Sequence, residues 1–400
     1  MSKLRQNRWV KVAVGAAMML VLGTMYAWSI FRAPFSALYP QWTVSDLSFN
    51  FTLCVIVYCI GGILGGKLVT RTSHPVGAVT GAVFILAAFF SVSVLPEDPV
   101  AAKWLLYGCY GGLCGLGTGL AYNSVVSGVS AWFPERPGQV TGILLTAFGL
   151  GSMLIGQLAE SLMPALGLFG VFRVIGVLVA VVLVLGSPLI RVPGSSVALP
   201  AAAAAKVGGG REFTTAEMLR RGEFWVFFLW NVCMSGASLM VVNSAATIAA
   251  YYRMLPILGL LVSVVNGVSR IPFGMCVDRL GWKKTLWMAN GFLALTAACL
   301  IGGGLTGSPV LVLPGLLLMG VSFGNSVTVG ALVIRQFYGS RHYAENLPVI
   351  NACAIFGAII GPTLSGYLQE AAGGDYLTTF IGVGVIAVVT CVLGFFVKKP

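Results

Sequence analysis

Charge is what this chain has least of. Only 9% of its 400 residues are Asp, Glu, Lys or Arg, against about 25% in a soluble globular protein. So few charges cannot cover a water-facing surface, which excludes a soluble fold. Acids are the scarcer sign, 12 against 24 Lys and Arg, and there are two histidines, His74 and His342. None of the nine cysteines has a zinc-like partner His, and their number is odd. They read as small apolar packing residues rather than a metal site or a disulfide framework. No Walker loop, G-x-S-x-G or H-E-x-x-H occurs, which argues against an enzyme and against ATP-driven work. No metal and no cofactor is expected. The net charge of +12 is not a nucleic-acid signature, because no basic run has interleaved aromatics.

What the chain has in excess is apolar surface and glycine. Hydrophobic residues make up 58%, glycine numbers 52, and the mean hydropathy is +0.92. Glycine lets helix backbones approach closely in lipid. Runs long enough to cross a bilayer fall near 10–31, 47–69, 76–95, 104–131, 140–163 and 168–190, then 224–250, 255–277, 285–305, 310–334, 347–368 and 377–397. The expectation is an all-α membrane protein of twelve transmembrane helices in two six-helix halves, 1–190 and 223–400. The segment 191–222 between them carries Pro193, Pro200, the Ala201–Ala205 run, Gly208–Gly210 and charges that include Lys206, Arg211, Glu212, Glu217, Arg220 and Arg221, so it reads as a linker. Within it Thr214 and Glu217 have the spacing of a capping box that would start a short surface helix; a flexible linker throughout is the alternative.

Lys and Arg gather on one side. That side takes Lys3, Arg5, Arg8, Lys11, Lys67, Arg71, Arg136, the linker, Arg279, Lys283, Lys284, Arg335, Arg341, Lys398 and Lys399. The other takes Arg32, Lys103, Arg173 and Arg253. The positive-inside rule makes both termini and the linker cytoplasmic. The first apolar run continues past Trp28 and reads as an uncleaved span. A monomer among membrane lipids, in a bacterial inner membrane, is the expected setting.

One cation breaks this pattern. Arg270 lies eight residues before Asp278, about 12 Å inside a core about 30 Å thick. A charge that deep costs at least about 2.5–3.5 kcal/mol on the lenient insertion scale. Arg stays protonated, so its partner is expected to be an anion, or else backbone carbonyls or a lipid head group in a purely structural role. Its planar fork suits one carboxylate bidentately. Asn266 sits four residues earlier on the same face, placed to bond the guanidinium or a substrate, or else to make an interhelical hydrogen bond. Pro272 would kink the helix.

The loop Gly274–Lys284 follows G-x-x-x-D-R-x-G-x-K-K, and Gly65–Thr72 is its weaker copy, with Thr70 where Asp278 stands. This loop and the six-plus-six layout resemble the major facilitator superfamily. Within it, Tyr26-Ala27-Trp28-Ser29, Ala131-Trp132-Phe133-Pro134, Glu217-Met218-Leu219-Arg220 before Phe224-Trp225, and Asn266-Gly267-Val268-Ser269-Arg270 are similar to the oxalate/formate antiporter family and its monocarboxylate-transporting relatives. The resemblance implies that Arg270 is a substrate-anion ligand. It also implies aromatic walls at Tyr26, Trp28, Tyr122 and Phe323. Oxalate carriers keep a Lys in span eleven where this chain aligns Ile350, which argues against dianions. Proton-coupled relatives keep an Asp where Asn266 stands, which argues against a side-chain proton relay.

The resulting expectation is a secondary active or facilitative carrier of a monocarboxylate of the lactate, pyruvate or formate type, working by alternating access. Its co-substrate would be a counter-anion or a proton, as an antiporter or a symporter. The alternatives are an oxalate/formate exchanger, a carrier for a larger amphipathic carboxylate, and a membrane sensor that does not transport. Tyr122 lies too deep for the interfacial belt and Asn123 is its neighbour; both join the candidate site. Trp28 and Phe323 also fit belt and packing roles. Asp278, with Arg279 and Lys283, reads as a gate latch that caps neighbouring helix ends. The glycines of 357–366, and Gly149, Gly151 and Gly156, read as packing and hinge positions.

Overall fold

The computed structural model describes residues 7–193, 211–255 and 257–400, and the regular elements among them are helical. Much of the linker, from Pro200 through the alanine run and Lys206 to Gly208–Gly210, lies outside the described residues, as do Lys3 and Arg5. Nine continuous stretches among the described residues are long and apolar enough to cross a membrane. One of them, Pro137–Ile190, is two rods joined at Gly167, whose φ of 65° and ψ of 175° leave the helix. That combination is essentially restricted to glycine. Two further helices, 99–130 and Ile257–Leu280, bring the number to twelve.

We number the long helices in chain order. In the first half they are α1 Arg8–Leu38, α2 Val44–Arg71, α3 His74–Val92, α4 99–130, α5 137–166 and α6 168–186. In the second they are α7 Gly222–Val242, α8 Ile257–Leu280, α9 Trp282–Thr306, α10 Pro309–Tyr338, α11 Tyr343–Ala371 and α12 Leu377–Phe396.

Helix starts follow from local chemistry. Thr43 and Asp46 form a capping box on α2, and Asp98 caps α4 with Pro99 behind it. The box expected at Thr214 and Glu217 is present on the short helix Thr215–Leu219. Two helices depart from regularity. α1 runs to Leu38, past the expected end near residue 31, through a 3-10 stretch at Gly23–Ala27 and across Pro34. Proline is tolerated inside membrane helices, which is why it does not end this one. α4 carries a π-helical stretch, Tyr107–Cys114.

The chain divides into two compact units. The first comprises Met1–Glu135, Ile143–Gly209 and Arg341–Val349; the second comprises Arg136–Gly142, Gly210–Ser340 and Ile350–Pro400. The first turn of α5 therefore groups with the second unit, and the start of α11 with the first.

Small residues set helix spacing within each unit. In the first, a Cβ on Gly151 of α5 would sit 2.8 Å from Gly23 Cα of α1. In the second, a Cβ on Gly361 of α11 would lie 2.6 Å from the Gly236 carbonyl of α7. Both are backbone contacts with no room for a side chain, as lipid-embedded packing requires.

Candidate functional site

In the second unit, Arg270 occupies the middle of α8, ten residues before Leu280, about 15 Å from that end. It is buried, with 6% of its surface exposed. Its Nη2 lies 3.4 Å from Asn266 Oδ1, one helical turn away. The i, i+4 spacing that puts both on one face also sets this contact. Among the described residues, Arg270 and Lys11 are the charged side chains classed as buried. Lys11 donates to the Leu189 carbonyl at 3.2 Å and lies over the Trp132 ring. Arg270 holds a guanidinium at mid-helix depth beside the Asn266 amide, and a planar fork of this kind suits a planar anion.

Ile350 is buried near the start of α11. A Cβ on Gly330 of α10 would lie 3.7 Å from Ile350 Cγ1 and would also meet the Asn231 amide nitrogen of α7. Asn231 Oδ1 is buried and accepts no hydrogen bond. Phe323 is half-buried on α10, seven residues from Gly330. Ser322 and Asn325, on the same helix, are buried with unpartnered polar atoms.

In the first unit, Tyr26 and Tyr122 converge on Phe148 of α5, with ring centroids 5.4 and 5.0 Å from it. Tyr58 of α2 joins them, 5.4 Å from Tyr122. Tyr26 keeps 40% of its surface exposed. Trp28 lies outside this group. It is 2% exposed, packs on Tyr110 at 4.7 Å, and donates its indole N–H to the Leu47 carbonyl at 2.8 Å. Asn123 is also committed to backbone: its Nδ2 donates to the Gly62 and Ala344 carbonyls at 3.1 and 2.6 Å.

Asp278 ends its helix facing the first turn of α5. Its Oδ1 and Oδ2 accept from the Gly138 and Gln139 backbone N–H groups, each at 2.8 Å. A carboxylate at a helix N-terminus satisfies donors that have no partner in their own helix and meets the positive end of the dipole. Arg279 and Lys283 stand exposed beside it.

Two groups escaped the sequence reading. Tyr58 lies thirteen residues from the end of α2 at Arg71, the same depth argument that singled out Tyr122. Asn231 is a lone amide in an apolar helix, and only its packing shows that its oxygen is unpaired.

The family model described as "Major Facilitator Superfamily" matches residues 13–346 and 257–400. The chain belongs to that superfamily and is an integral membrane transporter in fold and family. It is similar to the uncharacterised transporter YhjX of Escherichia coli, 26% identical over 87% of this chain and 85% of that one. The oxalate:formate antiporter of Oxalobacter formigenes is 24% identical over 98% and 91%. Monocarboxylate transporter 12-B of Danio rerio is 23% identical over 86% and 76%. A bacterial homologue of the iron transporter ferroportin, solved outward-facing, shares the fold. Its TM-score is 0.73 at 16% identity, covering 97% of this chain and all of that one.

Proposed function

We propose that this protein carries a small monocarboxylate across the membrane by alternating access, with Arg270 as the ligand of the carboxylate. The observation that carries the reading is Arg270 itself, buried at mid-helix depth with Asn266 on one arm. A charge in that position is costly and offers a fork that one carboxylate fills. Ile350 and its neighbours add no second cation, which favours one negative charge over two. The names of the relatives, an oxalate:formate antiporter and a monocarboxylate transporter, point to the same substrate class.

The carrier runs by anion exchange or facilitated diffusion. His74 opens α3 and His342 lies in the turn before α11, so neither is a mid-membrane proton relay, and Asn266 is neutral. A proton is carried only when it rides on the substrate. In the first unit, Tyr26, Tyr58 and Tyr122 are our candidates for apolar substrate contacts. The protein acts as a monomer in a bacterial inner membrane, with both termini on the cytoplasmic, basic side.

Counterflow of labelled formate, lactate, pyruvate and oxalate in proteoliposomes tests this. Losing charge-assisted hydrogen bonds worth about 3 kcal/mol corresponds to about a hundredfold, so Arg270→Ala is expected to lose monocarboxylate flux by about that factor. Arg270→Lys keeps the charge without the fork and recovers little. Wild-type flux in Arg270→Ala would sink the assignment. Competition by bulky amphipathic carboxylates would favour a larger substrate, and binding without flux would favour a sensor.

A further inference from the structure

We infer that the basic-side ends of α9 and α12 form a docking site for the head group of an anionic phospholipid. Four lysines make it: Lys283 and Lys284 in the first turn of α9, and Lys398 and Lys399 just past the end of α12. They are four of the chain's nine lysines, gathered at one corner of the second unit, whereas the positive-inside rule asks only that cations share a side. All four are exposed, and neither helix carries an Asp or Glu. The ion pairs among the described residues involve none of them.

Packing brings the two pairs together. A Cβ on Gly394 of α12 would lie 2.8 Å from Asn290 Nδ2 and 3.8 Å from Trp287 Cη2 of α9, and one on Gly384 would meet Ile301. The two helices are therefore antiparallel neighbours. Asn290 also donates to the Thr390 carbonyl at 3.3 Å. From that level Lys284 is six residues back along α9 and Lys398 is four residues on from Gly394, about 9 and 6 Å toward the same end. Val397 fixes the start of the tail: it is 3% exposed and donates its N–H to the Leu393 carbonyl at 3.1 Å.

Below the lysines lies an apolar seat. The Trp287 and Phe395 rings meet edge to face, with centroids 4.6 Å apart. Phe395 and Phe396 keep 70% and 61% of their surface exposed. Lys283 and Lys284 precede Trp287 by four and three residues, which stands them over it on one helix face. Charged heads above exposed rings match a lipid whose phosphate lies above its acyl chains. The lysines are also placed at a local cost. The first turn of α9 has no acid, and cations there oppose the helix dipole. Four like charges at one corner repel one another as well. A phosphate offsets both, and basic clusters at membrane-helix ends attract anionic lipid for this reason.

The test is lipid binding by the purified protein in mild detergent, read by native mass spectrometry. It is titrated with cardiolipin, whose two phosphates match the two lysine pairs, or with zwitterionic phosphatidylcholine. The wild type is expected to bind cardiolipin more tightly by about tenfold or more. Lys398→Gln with Lys399→Gln is expected to weaken cardiolipin binding about thirtyfold, at about 1 kcal/mol per lysine. Lys398→Arg with Lys399→Arg keeps the charge and should keep the binding. Lys67→Gln with Arg71→Gln removes two exposed cations of the first unit and should leave it unchanged. Equal wild-type affinity for the two lipids overturns the inference. So does unchanged cardiolipin binding in Lys398→Gln with Lys399→Gln, and so does an equal loss in Lys67→Gln with Arg71→Gln, which would mean diffuse surface charge and no site. All the substituted side chains are exposed, and the wild-type comparison needs no variant.

Discussion

The loops after α2 and α8 occupy matching places in the two halves, yet they are fastened differently. Around Gly274, Asp278 gives both carboxylate oxygens to backbone N–H groups at the start of α5. Around Gly66, Thr70 stands in the aspartate's place and donates its hydroxyl to Glu345 Oε1, 3.0 Å away, in the first turn of α11. In one case the acid sits on the loop and caps a helix. In the other it sits on the helix and accepts from the loop. The geometric frame is conserved by glycine: a Cβ on Gly66 would meet the Ala344 carbonyl, and one on Gly274 would meet that of Gly138. Both contacts therefore set a carboxylate on a frame of close backbones, and they differ in how many bonds it accepts. Bonds to a carboxylate are charge-assisted in both loops, but Asp278 accepts two where Glu345 accepts one from Thr70, and Asp278 also meets a helix dipole. The second unit's loop should be the tighter of the two.

Asp278→Ala breaks the comparison hardest. It strips two N–H groups of their acceptors, for an expected loss of about 2–4 kcal/mol. Thermal unfolding in detergent should show a clearly lowered Tm, and a cysteine placed near Gly138 should react faster with a soluble maleimide. An unchanged Tm and labelling rate would mean the two bonds hold nothing.

Next in size is Thr70→Asp, which sets a second carboxylate against Glu345. Like charges there should cost about 1 kcal/mol, and pairing the change with Glu345→Gln should restore stability. If Thr70→Asp alone were stabilising, Glu345 would not be the acid that replaces the missing one. The smallest effect belongs to Thr70→Val, which removes one exposed hydroxyl whose proton the Lys67 carbonyl and Glu345 share, a loss of about 0.5–1 kcal/mol. A drop as large as that of Asp278→Ala would erase the asymmetry.

Much of this was legible beforehand because membrane helices advertise themselves by length and by the rarity of charge. Arg270 was found by that rarity, and Asn266 by helical spacing. Asp278 was expected to cap a neighbouring helix end, and it does. What stayed hidden depends on partners distant in sequence. The indole of Trp28 is satisfied by Leu47, a contact no pattern within one helix reveals. Asn123 is held by carbonyls of Gly62 and Ala344, the second far along the chain. The π-helical stretch of α4 and the continuation of α1 through Pro34 are backbone choices made by packing, where local propensity is a weak guide.

The one-residue link at Gly167 bears on how the chain enters its membrane. α5 and α6 meet with no polar loop between them, and the flanking sequence Met163-Pro164-Ala165-Leu166 before it and Leu168-Phe169 after it carries no charge. Inserting this pair transfers no hydrophilic segment across the bilayer, so the two rods can partition into lipid together as one hairpin. The same economy leaves nowhere to splice in an epitope or a protease site at that turn, because any added residue would have to be accommodated by a backbone conformation that only glycine adopts.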